Sequence, residues 1–500
     1  MTLKNLSCIY SILAIVASLS ASLAHGANII APGNCTDFIN EKPSTVTCGF
    51  ISIAKNHDKP SGPRIKLPIV VAKSTRSATP KRAIFIPGAG GPGAAIGFGY
   101  AYNPGEFLAP YESLRRAGYD VVIVDQRGAG FSSPQLTCPE TIQAFKALIA
   151  RERTLENEID EYQRSIAQCR KRLVSDIGDI ADFDTLQSSL DFLYIIKHLN
   201  YPWWGTIATS YATAISQAMV MLQPDVFNAV VLDSPVPLNY QQPITTETTY
   251  QSIVKTITRC EASERCNNRY PRLISQLDKV LESASHWPYR IEIKVYNDAG
   301  QRETHTLVVD NYALLAILST AIYSNESIAA LPGVIDKMYK GSNQAFNMFA
   351  EDYWYQSTDS SYADGLNVTV HCKERQLLEE RYVKNNPLFL KQLSKDSRRA
   401  FKAQADLCKT WKIKSDNELL PEQQFNARAL ILAGSLDPVI SDADVRNTAN
   451  NFSNVSTATV PGASHSVWYQ SECVRQQVVD FFNQKPTRLS QCESSLPAFK

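Results

Sequence analysis

The sequence predicts an α/β protein with a mostly parallel sheet, helices on both of its faces, and a long, mainly helical insertion. Three observations carry this expectation. Short continuous apolar runs, Ala83–Ile86, Val121–Val124 and Ala229–Leu232, have the composition of strands buried on both faces. Between them stand segments with apolar residues three and four apart, as in Leu186, Leu190, Phe192, Leu193 and Ile196. The strand-type runs then stop near Pro237 and resume only at Ala429–Ala433. Strands that alternate with helices belong to a parallel sheet.

Along the chain, residues 1–26 carry Lys4 as their only formal charge, an apolar run from Ile9 to Leu23, and the small residues Ser22 and Ala24, the pattern of a secretory signal peptide. Two extended segments follow, Thr45–Ile53 and Ile65–Val71, separated by the turn-rich Asp58-Lys59-Pro60-Ser61-Gly62-Pro63 and suited to a sheet edge. Residues 136–199 are helical in pattern, ending near Asn200 and Pro202. Thr206-Ile207-Ala208 is a strand leading into Ser210, and Ala214 to Leu222 a helix leading out of it. Residues 239–420 form the insertion, largely helical, polar and rich in tyrosine. Ala429–Ala433 and Thr457–Val460 return to strand, and an amphipathic helix through Val478, Val479, Phe481 and Phe482 closes the chain. The division expected is therefore a leader at 1–26, a core at 27–238 and 421–500, and a cap at 239–420.

Lys and Arg number 50 against 49 Asp and Glu, a net charge of +1, and loss of Lys4 with the leader leaves no net charge. A neutral chain lacks the electrostatic footprint of a nucleic-acid or anionic-membrane binder, and 44% hydrophobic residues suffice for a packed core. The partner expected is a peptide or small acyl compound, with no nucleic acid and no integral membrane segment once the leader is removed. Of eleven cysteines, Cys8 lies in the leader. The remaining Cys35, Cys48, Cys138, Cys169, Cys260, Cys266, Cys372, Cys408, Cys473 and Cys492 form an even set in an oxidising compartment. Sequence neighbours close the cheapest loops, so consecutive pairing is expected, each bridge contributing roughly 2–4 kcal/mol. No C-x-x-C spacing supports a metal site, and neither a metal nor an organic cofactor is expected.

Ala208-Thr209-Ser210-Tyr211-Ala212 puts a serine between a strand and a helix with small residues two positions to either side. A nucleophile on so sharp a turn forces neighbouring backbone together, which is why the usual elbow is G-x-S-x-G. Alanine is the next smallest choice; an ordinary helix-capping serine is the competing reading. A nucleophilic serine needs an imidazole base and an orienting acid, in the chain order serine, acid, histidine on this kind of fold. Asp437 in Gly434-Ser435-Leu436-Asp437-Pro438 and His465 in Gly462-Ala463-Ser464-His465-Ser466 each follow a strand and meet that order, with Asp233 as the rival acid. Backbone donors for a developing oxyanion are expected from the Tyr211 amide and from the loop Pro87-Gly88-Ala89-Gly90-Gly91-Pro92-Gly93, Gly91 first and Gly90 second. Pro92 has no N–H, and the absence of a following Lys excludes a phosphate loop of the Walker type.

The segments Ile86 to Gly93, Val124-Asp125-Gln126-Arg127-Gly128-Ala129-Gly130-Phe131-Ser132, Ser210 with Tyr211, and Leu430 to Pro438 together resemble the α/β-hydrolases of the prolyl iminopeptidase and tripeptidyl aminopeptidase group. The resemblance runs from Cys48-Gly49 to His465 and Cys473 and is weakest in the insertion. It implies a serine exopeptidase that works on free peptide N-termini beneath a helical cap. Ala208 and Ala212 depart from the elbow glycines, and Ala89 stands where the iminopeptidases have His. The resemblance also implies a cap carboxylate for the substrate's amine, with Glu374 in Cys372-Lys373-Glu374 as the candidate and a solvated helix face as the competing reading. An esterase on the same triad, and a catalytically silent fold used for binding, are the alternative functions.

Overall fold

In a computed structural model of the protein, the residues described are 29–40, 44–99, 105–152, 154–238, 246–297, 300–374, 403, 406–415, 424–495 and 499. The expected leader lies outside them. The strands are β1 Ile30–Pro32, β2 Val46–Ala54, β3 Arg64–Ala72, β4 Arg82–Pro87, β5 Tyr119–Val124, β6 Trp203–Thr209 and β7 Ala229–Asp233, then β8 Tyr289–Tyr296, β9 Arg302–Val309, β10 Arg428–Gly434 and β11 Val455–Val460. Nine of them form one sheet in the order β1-β2-β3-β5-β4-β6-β7-β10-β11. The pairs from β5 to β11 are parallel, while β1, β2 and β3 add an antiparallel edge. Each expected strand is present. The sheet is an α/β-hydrolase fold.

Side chains on central strands alternate between two apolar layers. Phe85, Val122, Val230 and Ile431 point into one cluster with Phe192, Ile195 and Ile215, and Ile84, Ile123, Val231 and Leu432 into the other with Trp468, Val478 and Phe482. Residues buried on both sides of a strand explain its continuous apolar run. Helix Thr185–Leu199 is fixed at both ends: the Asp184 side chain accepts from Gln187 N, and Asn200 takes the left-handed conformation at φ 50°.

Residues 250–354 build a third cluster of their own, with Ile149 and Leu436 packed into it. This part is not purely helical. The hairpin β8–β9 is a separate two-stranded sheet whose inward residues Ile291, Ile293 and Val295 are buried and alternate with exposed Arg290, Glu292 and Lys294. The free edge of β8 is satisfied by one helix face. Asn347 Nδ2 donates to Glu292 O at 2.8 Å, Lys294 N to Glu351 Oε1 at 3.3 Å, and Tyr296 N to the Tyr355 hydroxyl at 2.8 Å. An unpaired edge is a pairing hazard, and three side chains four residues apart along helix Asn347–Ser357 remove it. Of the described residues beyond Ala363, Leu366, Val368, Val370, Leu407 and Trp411 pack in the first cluster, beside the sheet. The packing thus turns back to the core well before residue 420.

The ten cysteines pair consecutively as expected: Cys35–Cys48, Cys138–Cys169, Cys260–Cys266, Cys372–Cys408 and Cys473–Cys492. Among the described residues no helix is long and apolar enough to cross a membrane.

Arg127 is fully buried, donating to both oxygens of the equally buried Asp191 at 2.8 and 2.6 Å, while His57 Nε2 meets the same carboxylate at 2.7 Å. Removal of one member of such a pair strands a buried charge and costs about 3–5 kcal/mol. Asp191→Ala is therefore expected to lower the midpoint of chemical denaturation by that equivalent, whereas an unchanged midpoint would show that Arg127 finds water.

Candidate active site

The carboxyl ends of β6, β7 and β10 converge on one cavity of about 1160 Å³. Ser210 sits between β6 and helix Ala212–Leu222 at φ 57°, a left-handed conformation that a non-glycine residue adopts only under constraint. Its amide donates to Asp233 O at 2.9 Å, and its carbonyl accepts from Thr213 N. Ala208 and Ala212 are 2% and 1% exposed, so their methyl groups fill the turn, and alanine at both places is compatible with the elbow. A Cβ on Gly90 would lie 2.8 Å from Ser210 Cβ, which explains a glycine opposite the serine. Ser210 Oγ holds no hydrogen bond with a described residue, and contacts of this kind are often open before substrate binds.

His465 Nδ1 lies 3.0 and 2.9 Å from the two oxygens of Asp437. Asp437 also accepts from Val439 N at 2.8 Å and Ile440 N at 2.9 Å. Burial alone would raise the Asp437 carboxyl, but the His465 charge, its hydrogen bond and these two amides hold it below the usual range. Burial would likewise lower His465, yet the charge and hydrogen bond of Asp437, with the charge of Asp233, raise it above the ordinary histidine value. His465 and Ser210 both line the cavity.

Asp233, the rival acid, has a different task. Its carboxylate accepts from Val467 N at 3.1 Å and Trp468 N at 2.8 Å, and Ser466 N donates to Ser234 Oγ at 2.9 Å. Burial pushes Asp233 up to about 6 against the amide of Trp468. It anchors the chain that follows His465. The other side of that loop is tied to the 250–354 part, where Ser464 N donates to Asn325 Oδ1 at 3.0 Å and Tyr323 meets the His465 ring edge-on at 5.3 Å.

The glycine loop is held from below by the Asp125-Gln126-Arg127 segment. Asp125 accepts from Ile96 N at 2.7 Å and Phe131 N at 3.0 Å, and Gln126 Nε2 donates to Pro92 O at 2.7 Å. Burial pushes the Asp125 carboxyl up to about 7 against the Ile96 and Phe131 amides. Gly88 (φ 70°) and Gly91 (φ 44°) make the loop's left-handed turns. The amides of Gly90 and Gly91 make no hydrogen bond among the described residues, and both residues line the cavity with Tyr211.

Glu374 does not join this group. Its carboxylate accepts from Thr185 N at 2.6 Å and Thr185 Oγ1 at 2.5 Å, and it is absent from the cavity lining. Thr185 Oγ1 donates to Glu374 and so accepts from the Tyr211 hydroxyl, 2.6 Å away. Glu374 caps a core helix and steadies Tyr211 through Thr185. The cavity's own carboxylates are Glu106 and Glu158, and its described lining contains neither lysine nor arginine. Sequence reasoning did not single out these two acids or Tyr362, which also lines the cavity. Only Glu158 carried a signal, four residues before Tyr162 on one face of helix Leu155–Ile177.

The family described as alpha/beta hydrolase fold matches residues 84–256, and the family described as TAP-like protein matches residues 396–491. The chain belongs to the α/β-hydrolase fold family. The chain is 26% identical over 231 residues to the tripeptidyl aminopeptidase of Streptomyces lividans, 44% of this chain and 40% of that one. It is also 31% identical over 120 residues to carboxylesterase B of Mycobacterium tuberculosis, 23% of this chain and 22% of that one. The chain thus spans 40% or less of the length of these curated relatives. Among solved structures, an alpha/beta hydrolase fold protein from Chitinophaga pinensis is similar with a TM-score of 0.35 and 12% identity, over 87% of this chain and 97% of that one.

A Cβ on Gly434 would stand 2.0 Å from Ser464 O and 2.3 Å from Ala463 O. Gly434→Ala must therefore displace the segment that carries His465. The expected result is a loss of about 1–3 kcal/mol in stability and roughly a hundredfold in kcat/KM for an activated ester, read by thermal melting and kinetics. Full activity in this variant would show that the His465 loop has slack.

Proposed function

We propose that the protein is an exported serine hydrolase that releases residues or short peptides from free peptide N-termini. The observation that carries the proposal is the Asp437–His465 pair sharing one cavity with Ser210 on its strained turn. Ser210 Oγ adds to the scissile carbonyl as His465 Nε2 takes its proton, and Asp437 holds the Nδ1–H that fixes the ring's tautomer. The Tyr211 and Gly91 amides take the oxyanion, His465 returns the proton to the leaving amine, and water releases the acyl group. Five disulfides and the leader-like first 26 residues support export.

Similarity to a tripeptidyl aminopeptidase supports the substrate class, as does a lining in which, among the described residues, Glu106 and Glu158 are the only formal charges. A negative, partly desolvated wall favours a cationic amine over a free carboxylate. Glu106 and Glu158, not Glu374, are assigned to the amine. The relation to carboxylesterase B favours a second reading, ester hydrolysis on the same triad.

Incubation with peptides bearing free or acetylated N-termini separates the two readings. Trimming of free-amine peptides alone, followed by mass spectrometry and lost in Ser210→Ala, is the expected outcome; ester turnover with intact peptides would select the esterase. Only neutral His465 accepts the serine proton, and its folded pKa is raised, so activity falls as pH drops through that raised value. The acid limb of kcat/KM is expected to have its midpoint above about 6.5, and a midpoint below that would contradict the Asp437 interaction.

A further inference from the structure

The segment Tyr362–Gly365 lies directly on the glycine loop. Ala363 N donates to Gly93 O at 2.8 Å, and a Cβ on Gly93 would stand 2.4 Å from Ala363 O, so the two backbones touch. Two residues on, Gly365 N donates to Leu136 O at 2.8 Å, and a Cβ there would meet the same oxygen at 2.6 Å. Thr141 Oγ1 donates to Asp364 between these two ties. Three successive residues are thus fastened to the core just beyond Tyr362. A Cβ built on Gly91 would meet the Tyr362 hydroxyl oxygen at 3.4 Å, and Tyr362 lines the cavity with Ser210, Tyr211 and His465. A phenolic O–H therefore stands against the residue assigned to the oxyanion.

We propose that Tyr362 is a catalytic residue that donates its hydroxyl to the oxyanion as a third partner beside the Gly91 and Tyr211 amides. The inference rests on the acyl-transfer reading of Ser210 and holds for amide and ester substrates alike. In the addition step the Ser210 Oγ–carbon bond forms and the carbonyl π pair moves onto oxygen. The serine proton goes to His465 Nε2. Tyr362 keeps its own proton and only shares it in a hydrogen bond that strengthens as charge develops, then weakens when the carbonyl re-forms and the leaving group departs with the His465 proton. A donor held in place before reaction needs no reorganisation during it, which is why loss of one oxyanion donor costs about 10²–10³ in kcat.

The test compares wild type, Tyr362→Phe and Ser210→Ala in the full chain, on p-nitrophenyl acetate and on trialanine p-nitroanilide. Phenylalanine keeps the ring and removes only the hydroxyl. The expected result is a kcat lowered by roughly 10²-fold on each substrate the wild type turns over, with KM changed by no more than about twofold. A parallel loss should appear in inhibition by an uncharged trifluoromethyl ketone, whose adduct with Ser210 carries the oxyanion, and not in binding of the product trialanine. An unchanged kcat, or a raised KM with kcat retained, would overturn the proposal and make Tyr362 a wall of the acyl site. Ester turnover alone would retire the aminopeptidase reading and still decide the role of Tyr362. Ester turnover persisting in Ser210→Ala would overturn both.

Discussion

Asp233, at the end of β7, holds the Ser210 turn and the segment that follows His465 in one frame. Its backbone carbonyl takes the Ser210 amide at 2.9 Å, and its carboxylate takes the amides of Val467 and Trp468 at 3.1 and 2.8 Å. Ser210 and His465 lie 255 positions apart in the numbering, and parallel pairing of β6 with β7 and of β7 with β10 brings their carriers side by side. Sheet pairing brings the two carriers together, and the Asp233 contacts tie the Ser210 turn and the segment after His465 to one residue. The carboxylate is buried, so each of those hydrogen bonds is made in a low dielectric where it is strong and costly to lose.

The second fixed point is the floor of the glycine loop. Asp125, Gln126 and Arg127 are consecutive, yet each serves a separate partner: the Ile96 and Phe131 amides, the Pro92 carbonyl, and the Asp191 carboxylate. The loop is thus tied to β5 below and, through Ala363 and Gly93, to the segment above it. Amides aimed at a developing charge are useful only if they cannot turn away, and ties on both sides supply that rigidity.

Much of this was legible in the sequence, for identifiable reasons. Strands buried on both faces announce themselves as apolar runs, and β4, β5, β7 and β10 all did, while β6 was read from its place before Ser210. Ser210, Asp437 and His465 could be selected because each follows a strand and the chain order is restrictive. Nearest-neighbour cysteines paired because short loops close easily. What escaped depends on contacts between distant segments. Glu374 looked like an amine ligand because of its neighbours in sequence, whereas its place is set by Thr185 on another helix. Asp233 could be ranked as a rival acid but not recognised as an anchor, since Val467 and Trp468 meet it only in the folded sheet. Tyr362 belongs to no motif. The hairpin β8–β9 did leave a signal, the strict alternation from Arg290 to Val295, masked by helices on either side.

Peptide mapping after treatment with a fluorophosphonate tests the central claim most directly, because the reagent phosphonylates only a serine activated by its surroundings. A single adduct on the peptide containing Ser210, formed in the wild type and slowed at least a hundredfold in His465→Ala, is the result that an active Ser210–His465–Asp437 site requires. No adduct, or an adduct on another serine, would contradict it and leave the cavity as a binding site on a hydrolase fold.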